Sequence, residues 1–314
     1  MTSSWLQALQ RLIPEEADRH AFHAIALSPA LPYPRNIKFL IFADDEPEPS
    51  WILRCHRDAS TAARERRVLD EMRIRGYRVQ PELVGFDSFE DLHAQLLRFC
   101  RGRHGSLERW RSSAALLKLS SELARVQMDL AAWAQSKFDP LPLQTDDLLD
   151  SARRARGLLG NPSPLARTLE EARECLARAN APALPQHGDC CIGNLLWDGA
   201  EIRILDWENF GLAFEPFVDA WLFALSLCEE SGDPEAASLF GRGANATAAE
   251  TVVRLYASSV GLKADVGRQV FPLAVARFMQ LNAASGRMEV ARRMCRILNA
   301  YLADSPSFMS SLRS

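Results

Sequence analysis

His187-Gly188-Asp189-Cys190-Cys191-Ile192-Gly193-Asn194, followed by Ile204-Leu205-Asp206-Trp207-Glu208, is the part of this chain whose reading decides its fold. Between the two lie strand-like runs, Asn194-Leu195-Leu196-Trp197 and Glu201-Ile202-Arg203-Ile204-Leu205, joined by Asp198-Gly199. Asp-Gly is a favoured two-residue hairpin turn because both positions tolerate positive φ. The reading is a polar loop, a short hairpin, and a carboxylate at the end of the second strand.

The surrounding chain changes character near its first third. From about His20 to Cys100 the texture is that of strands. Ile37 to Phe42 and Trp51 to Cys55 flank the proline-broken turn Asp44-Asp45-Glu46-Pro47-Glu48-Pro49, a hairpin signal. Ala59 to Arg75 carries Ala62, Val68, Leu69 and Met72 at helical spacing and stops at Gly76. Pro81 to Phe86 and His93 to Cys100 read as two further strands. Beyond Gly102 the pattern is helical: Ser113 to Ser136, Leu143 to Leu159, Pro164 to Ala179, and again from about Phe214 to the end. The expected organisation is an α+β chain with a β-rich lobe over residues 1–101 and a larger helical lobe over 102–314.

Composition narrows the class of function. With 37 basic and 40 acidic residues the formal charge is −3, so no global basic field points to nucleic acid. The seven cysteines are odd in number and scattered, and no CxxC pair occurs, which argues against both a disulfide framework and a zinc site. The adjacent Cys190 and Cys191 read as loop filling. The start, Met1 to Ile13, lacks the apolar core of a signal peptide, and no apolar run approaches the ~20 residues that span a bilayer. A cytoplasmic protein without membrane or nucleic-acid partners is the expectation.

Asp189 and Asn194 have the spacing of the kinase catalytic loop H-R-D-x-x-x-x-N, with Gly188 where protein kinases carry Arg. Together with the hydrophobic-Asp-Trp-Glu run at Asp206, the pattern resembles the aminoglycoside phosphotransferase and choline kinase family. That resemblance spans about Ile37 to Trp221 and implies a protein-kinase-like bilobal fold. The implied activity is transfer of the γ-phosphate of ATP, or another nucleoside triphosphate, to the hydroxyl of a small molecule such as a sugar, amino sugar or amino alcohol. A peptide Ser/Thr kinase and a nucleotide-binding regulator without turnover are the alternatives.

The resemblance also assigns roles. Asp189 is the implied catalytic base, His187 braces its loop, and Asn194 and Asp206 hold Mg2+. Such chemistry needs little more than a positioned carboxylate and hard oxygen ligands for the metal. The fold further needs a strand cation on the α/β-phosphates paired to a helix carboxylate, and Arg54 and Glu65 are the candidates, with Arg where relatives usually carry Lys. His56, on the same strand face, is the other possible phosphate neighbour. Backbone groups of Arg98, Phe99 and Cys100 are expected to hold the nucleotide base, and Asp219 to support the active-site loops. The segment Ser28 to Arg35 has three prolines and no glycine where a phosphate-covering loop usually has Gly. Either Arg35 and Asn36 reach the phosphates by side chain, or the loop covers them poorly. A basic stretch (Arg98, Arg101, Arg103, His104, Arg109, Arg111) could attract a phosphorylated or acidic substrate.

Overall fold

The computed structural model describes residues 9, 11–13, 22–27, 36–43, 46–89, 92–102, 104–157, 159, 162–197, 200–233, 236, 239 and 243–303. The Ser28–Arg35 loop, the Asp198-Gly199 turn and Arg103 lie outside the described residues. Among the described residues no helix is long and apolar enough to cross a membrane. The chain divides into two compact units, Met1–Arg103 with Leu196–Glu208, and His104–Leu195 with Asn209–Ser314. The sequence reading puts the boundary at residues 101/102. The structural division falls at Arg103 and returns the hairpin segment to the first unit.

In the first unit β1 (Phe22–Leu27), β2 (Asn36–Ala43), β3 (Trp51–His56), β4 (Leu83–Phe89) and β5 (Leu92–Arg98) form an antiparallel sheet in the order β1-β2-β3-β5-β4. Successive strand side chains point to opposite faces. Trp51, Leu53 and Cys55 therefore enter an apolar core with Leu9, Ile41, Ala94 and Leu96, while Arg54 and His56 point the other way. That second face is covered by α1 (Ala59–Ile74), which buries Ala62, Glu65, Val68, Leu69 and Met72. Gln95 Nε2 donates to the Ala62 carbonyl at 3.0 Å, tying β5 to the helix.

Helix α1 has clear ends. Asp58 accepts from the Ser60 amide at 2.9 Å and the Thr61 hydroxyl at 2.7 Å, an N-cap whose removal typically costs ~1 kcal/mol. At the other end Gly76 takes φ +75°, the Tyr77 amide reaches the Met72 carbonyl, and the Gly76 amide reaches that of Arg73. This is the Schellman closure, and it needs the left-handed residue that glycine supplies. The short strands β6 (Leu195–Trp197) and β7 (Ile202–Ile204) pair with each other, and the Ile204 amide donates to the Val79 carbonyl.

The second unit is helical. Its elements are α2 (Leu107–Trp110), α3 (Ser113–Lys137), α4 (Thr145–Arg154), α5 (Pro162–Arg178), α6 (Val218–Glu230), α7 (Ala244–Ser259), α8 (Ala264–Gln269), α9 (Phe271–Ala284) and α10 (Met288–Ala303). Helices α6 and α9 are buried almost all round and pack against each other, with α9 also against α4 and α10. A helix apolar on every side belongs in an interior. Two of the boundaries that move have a clear local cause. Helix α4 ends at Arg154 rather than Leu159, because Arg156 adopts φ +53° and the Gly157 amide closes onto Ala152. Asn194 leaves the strand for a 3-10 turn, Ile192–Asn194, closed by its amide on the Cys191 carbonyl.

Candidate active site

Each unit holds one polar cluster that the sequence reading singles out. In the first, β3 is the organising element. Arg54 is 2 % exposed, and its guanidinium reaches three carboxylates: Glu65 Oε1 at 2.6 Å, Asp206 Oδ1 at 3.1 Å and Glu208 Oε2 at 2.9 Å. Burial works against its charge, and Asp206, Glu65 and Glu208 more than offset that, so its pKa is raised rather than lowered. Glu65 is equally buried. Burial raises its pKa, but Arg54 and His56 Nε2, 3.1 Å from Oε2, bring it below the ordinary value. The strand-to-helix pair Arg54–Glu65 read from the sequence is thus formed, and Asp206 is brought to it.

The sequence reading misses one member of this cluster. Lys38 lies directly across from Arg54 in the β2–β3 register, so both project from the same face. Its Nζ contacts both oxygens of Asp206, at 3.0 and 3.2 Å. With 36 % of its side chain exposed, Lys38 is the open cation and Arg54 the closed one. Glu208, quoted in the sequence motif without a role, is the third carboxylate of the clamp, and its carbonyl accepts from Arg64. Asp206 itself sits at φ +60°, a left-handed conformation that Asp tolerates better than most residues.

In the second unit the loop around Asp189 hangs from Asp219. This fully buried carboxylate, on the first turn of α6, accepts from the His187 amide at 2.7 Å, the Gly188 amide at 2.9 Å and Gln127 Nε2 at 2.7 Å. Burial pushes its pKa up, against the opposing pull of His187 and these hydrogen bonds. His187 Nδ1 accepts from the Asp189 amide at 3.2 Å, the bracing contact expected of it. Gly188 has φ +80°, and a Cβ there would stand 3.0 Å from Asn209 Cβ and 3.2 Å from its carbonyl oxygen. Both facts require glycine at that position.

The loop presents two oxygen functions. Asn194 donates its Nδ2 to the Asp189 carbonyl at 2.9 Å, which commits the amide nitrogen inward and leaves Oδ1 as the acceptor. Asp189 is held through Oδ2 by Arg287 Nη1 at 2.8 Å. Arg287 lies in the turn between α9 and α10 and carries no sequence signal that could have announced it. Cys190 and Cys191 are free thiols. Burial, then Asp189, pushes the Cys191 thiol up to about 12.

Arg98, Phe99 and Cys100 join neither cluster. The Arg98 amide donates to the Glu82 carbonyl and the Phe99 amide to that of Ser50. Their hydrogen-bonding capacity toward a base is therefore narrowed to the carbonyls and the Cys100 amide.

The chain matches the sequence pattern of the phosphotransferase enzyme family over residues 35–256. It belongs to that family. The phosphotransferase assignment carries a kinase activity toward hydroxyl acceptors of small molecules, on a protein-kinase-like α+β fold. No curated protein sequence gives a significant match. Among solved structures, a choline kinase from Cryptosporidium parvum Iowa II is similar at 12 % identity and a TM-score of 0.65, covering 98 % of this chain and 96 % of that one. A choline/ethanolamine kinase family protein from Mesorhizobium loti is similar at 16 % identity and 0.58, covering 98 % of each. An aminoglycoside phosphotransferase from Streptomyces rimosus, in complex with ADP and streptomycin, is similar at 16 % and 0.52, covering 88 % of this chain and 98 % of that one. At such identities the likeness shows the fold of this phosphotransferase and leaves its acceptor open.

Proposed function

We propose that this phosphotransferase uses ATP and Mg2+ to phosphorylate a hydroxyl of a sugar, amino sugar or amino alcohol, with Asp189 as the base. The observation that supports the proposal is the Asp219-anchored loop, which fixes Asp189 and commits the Asn194 amide nitrogen, leaving its oxygen as an acceptor. The acceptor oxygen attacks the γ-phosphorus, the bond from that phosphorus to the ADP oxygen breaks, and the hydroxyl proton passes to Asp189. Arg287 fixes Oδ2, leaving Oδ1 to take the proton.

Each proposed metal ligand has oxygen chemistry that suits a magnesium ion. Asn194 offers a neutral amide oxygen, and Asp206 a part-exposed carboxylate already oriented by two cations. Magnesium takes few protein oxygens and completes its shell with phosphate and water. When bound, it would neutralise charge on the transferring group. Arg54 and Glu65 then act as the frame that aims Asp206 and Glu208, and Lys38 supplies the cation facing the phosphates. The carbonyls of Arg98 and Phe99, with Cys100, serve the base.

The test is ATP-dependent phosphorylation across a panel of choline, ethanolamine, aminoglycosides and simple sugars, with wild type and Asp189→Asn. A positioned base contributes ~10²–10⁴-fold, so Asp189→Asn should lose transfer by that factor and keep nucleotide-induced stabilisation. Equal turnover in the two proteins would place the base elsewhere.

A further inference from the structure

A cavity of about 520 Å³ lies within the first unit, and none of Lys38, Arg54, Glu65, Asp206 or Glu208 lines it. Its walls carry five arginines, Arg73, Arg78, Arg98, Arg101 and Arg203, and one acid, Glu82. Folding assembles them from the end of α1, the turn after it, the exit of β5, and β7. In a chain of net charge −3 this is a strong local excess of positive charge.

Acidic neighbours face at least three of the arginines. Arg98 meets Glu82 at 2.7 Å, Arg101 meets Glu48 at 3.2 Å and Arg73 lies 3.7 Å from Asp70. All three pairs are solvent-exposed, and such pairs hold their partners weakly. Arg78 is exposed and has no ion pair among the described residues. A guanidinium presents a planar fork that matches two phosphate oxygens at once.

The lining also has a buried polar group with an unmet need. Gln80 is 7 % exposed. Its Nε2 is committed to the Tyr77 carbonyl at 3.0 Å, and its Oε1 has no hydrogen-bond partner among the described residues. A buried acceptor left unpaired is costly, and a ligand with an N–H or O–H would satisfy it. Tyr77 and Phe99 add ring surface to the wall.

We propose that this cavity is a binding site for a small organic phosphate, distinct from the cluster of Lys38, Arg54 and Asp206 proposed for the triphosphate. Its arginines take the phosphate oxygens, and Gln80 Oε1 accepts from a hydroxyl or amine of the same molecule. The cavity shares Arg98, Phe99 and Cys100 with the segment proposed for the base, and it gives a role to the side chains of Arg98 and Arg101.

The test uses the full chain in EDTA, with glycerol 2-phosphate and inorganic pyrophosphate as probes and glycerol as the neutral control. Thermal stability and calorimetry are read at low and physiological salt, because arginine–phosphate contacts at a surface are screened. Both phosphates should bind and stabilise wild type, and glycerol should not. Arg78→Glu and Arg203→Glu should each weaken binding at least about tenfold, the loss of one charge-assisted contact, while retaining stabilisation by magnesium with a non-hydrolysable ATP analogue. Arg78→Gln, a milder change at an exposed position, should weaken it in the same direction, and Gln80→Leu should weaken glycerol 2-phosphate more than pyrophosphate. No binding of either phosphate by wild type would overturn the proposal. So would binding that survives both charge reversals, or binding that disappears with Lys38→Ala instead. Loss of the magnesium–nucleotide response in folded Arg78→Glu would show the cavity to be part of the nucleotide site, which also overturns it.

Discussion

Arg54→Met isolates the clamp from any role in binding. The substitution keeps most of the side-chain volume and removes the guanidinium from a position that is 2 % exposed. Asp206 and Glu208 are part-exposed and can turn to water, but Glu65, 1 % exposed, is left with His56 alone. Breaking a buried pair by removing one partner typically costs ~3–5 kcal/mol, because the remaining charge is stranded. That figure should appear in urea unfolding of the nucleotide-free protein, followed by circular dichroism and tryptophan fluorescence. It should change little between low and moderate salt, since buried charges are poorly screened. Arg54→Lys should fall short of wild type too, because one ammonium cannot span the three carboxylates that the planar fork reaches. The double variant Arg54→Met/Glu65→Leu should recover most of the loss, a coupling that a double-mutant cycle reads directly. If Arg54→Met unfolds at the wild-type midpoint without nucleotide and yet binds nucleotide poorly, then Arg54 is a phosphate ligand and the clamp reasoning fails.

Lys38→Met should do the opposite. Its pair with Asp206 is part-exposed, so stability should shift by under ~1 kcal/mol, while affinity for magnesium–nucleotide drops clearly in calorimetry; unchanged affinity would remove Lys38 from the phosphate site. Gly188→Ala forces a methyl against Asn209 at φ +80°, so we expect a cost of ~1–3 kcal/mol and a larger loss of kcat than of nucleotide affinity, checked by steady-state kinetics beside unfolding. Cys191, with its thiol pushed up to about 12, should be about one part in ten thousand thiolate at pH 8 and react with iodoacetamide far more slowly than a free thiol. Fast labelling of Cys191 in the folded protein would contradict that upward shift.

How much of this was legible beforehand depends on how local the cause is. The β2–β3 hairpin and α1 could be read because two apolar runs flank a proline-broken polar turn, and a helix packed on a sheet must repeat at 3.6 residues. The Arg54–Glu65 pair follows from those two elements being neighbours in sequence. Lys38 sits only sixteen residues before Arg54, yet its part depends on which residue of β2 lies opposite Arg54, and register is not visible in either strand alone. The loop from His187 to Asn194 was legible because its chemistry is a spacing. Its support was only half so: Asp219 lies in a recognisable segment, whereas Arg287 reaches Asp189 across 98 residues from an ordinary inter-helix turn. The end of α4 was misjudged because Arg156 adopts a positive φ that nothing in its side chain demands.

The two carboxylates at the centre of the proposal are fixed by opposite means, and each fits its task. Asp206 stands at φ +60°, a conformation that costs non-glycine residues ~1–3 kcal/mol unless the surroundings over-determine it. Lys38 and Arg54 provide that determination with contacts of 3.0 to 3.2 Å, so the oxygen proposed for the metal is fixed before any phosphate arrives. The cations that aim it also offset its charge, which suits a group that must exchange partners when a dication binds. Asp189 needs no backbone strain of its own. Its geometry is inherited from the neighbouring amides of His187 and Gly188, both bound to one buried acid, and from glycine at position 188, where a Cβ would crowd Asn209. A base aimed in this way loses little on meeting its acceptor, since the cost of ordering was met in folding. Substituting Asp219→Asn should therefore lower kcat through Asp189 while leaving the Lys38–Asp206 pair and magnesium–nucleotide affinity intact. Equal losses in kcat and nucleotide affinity would show that Asp219 supports the fold generally and not the loop.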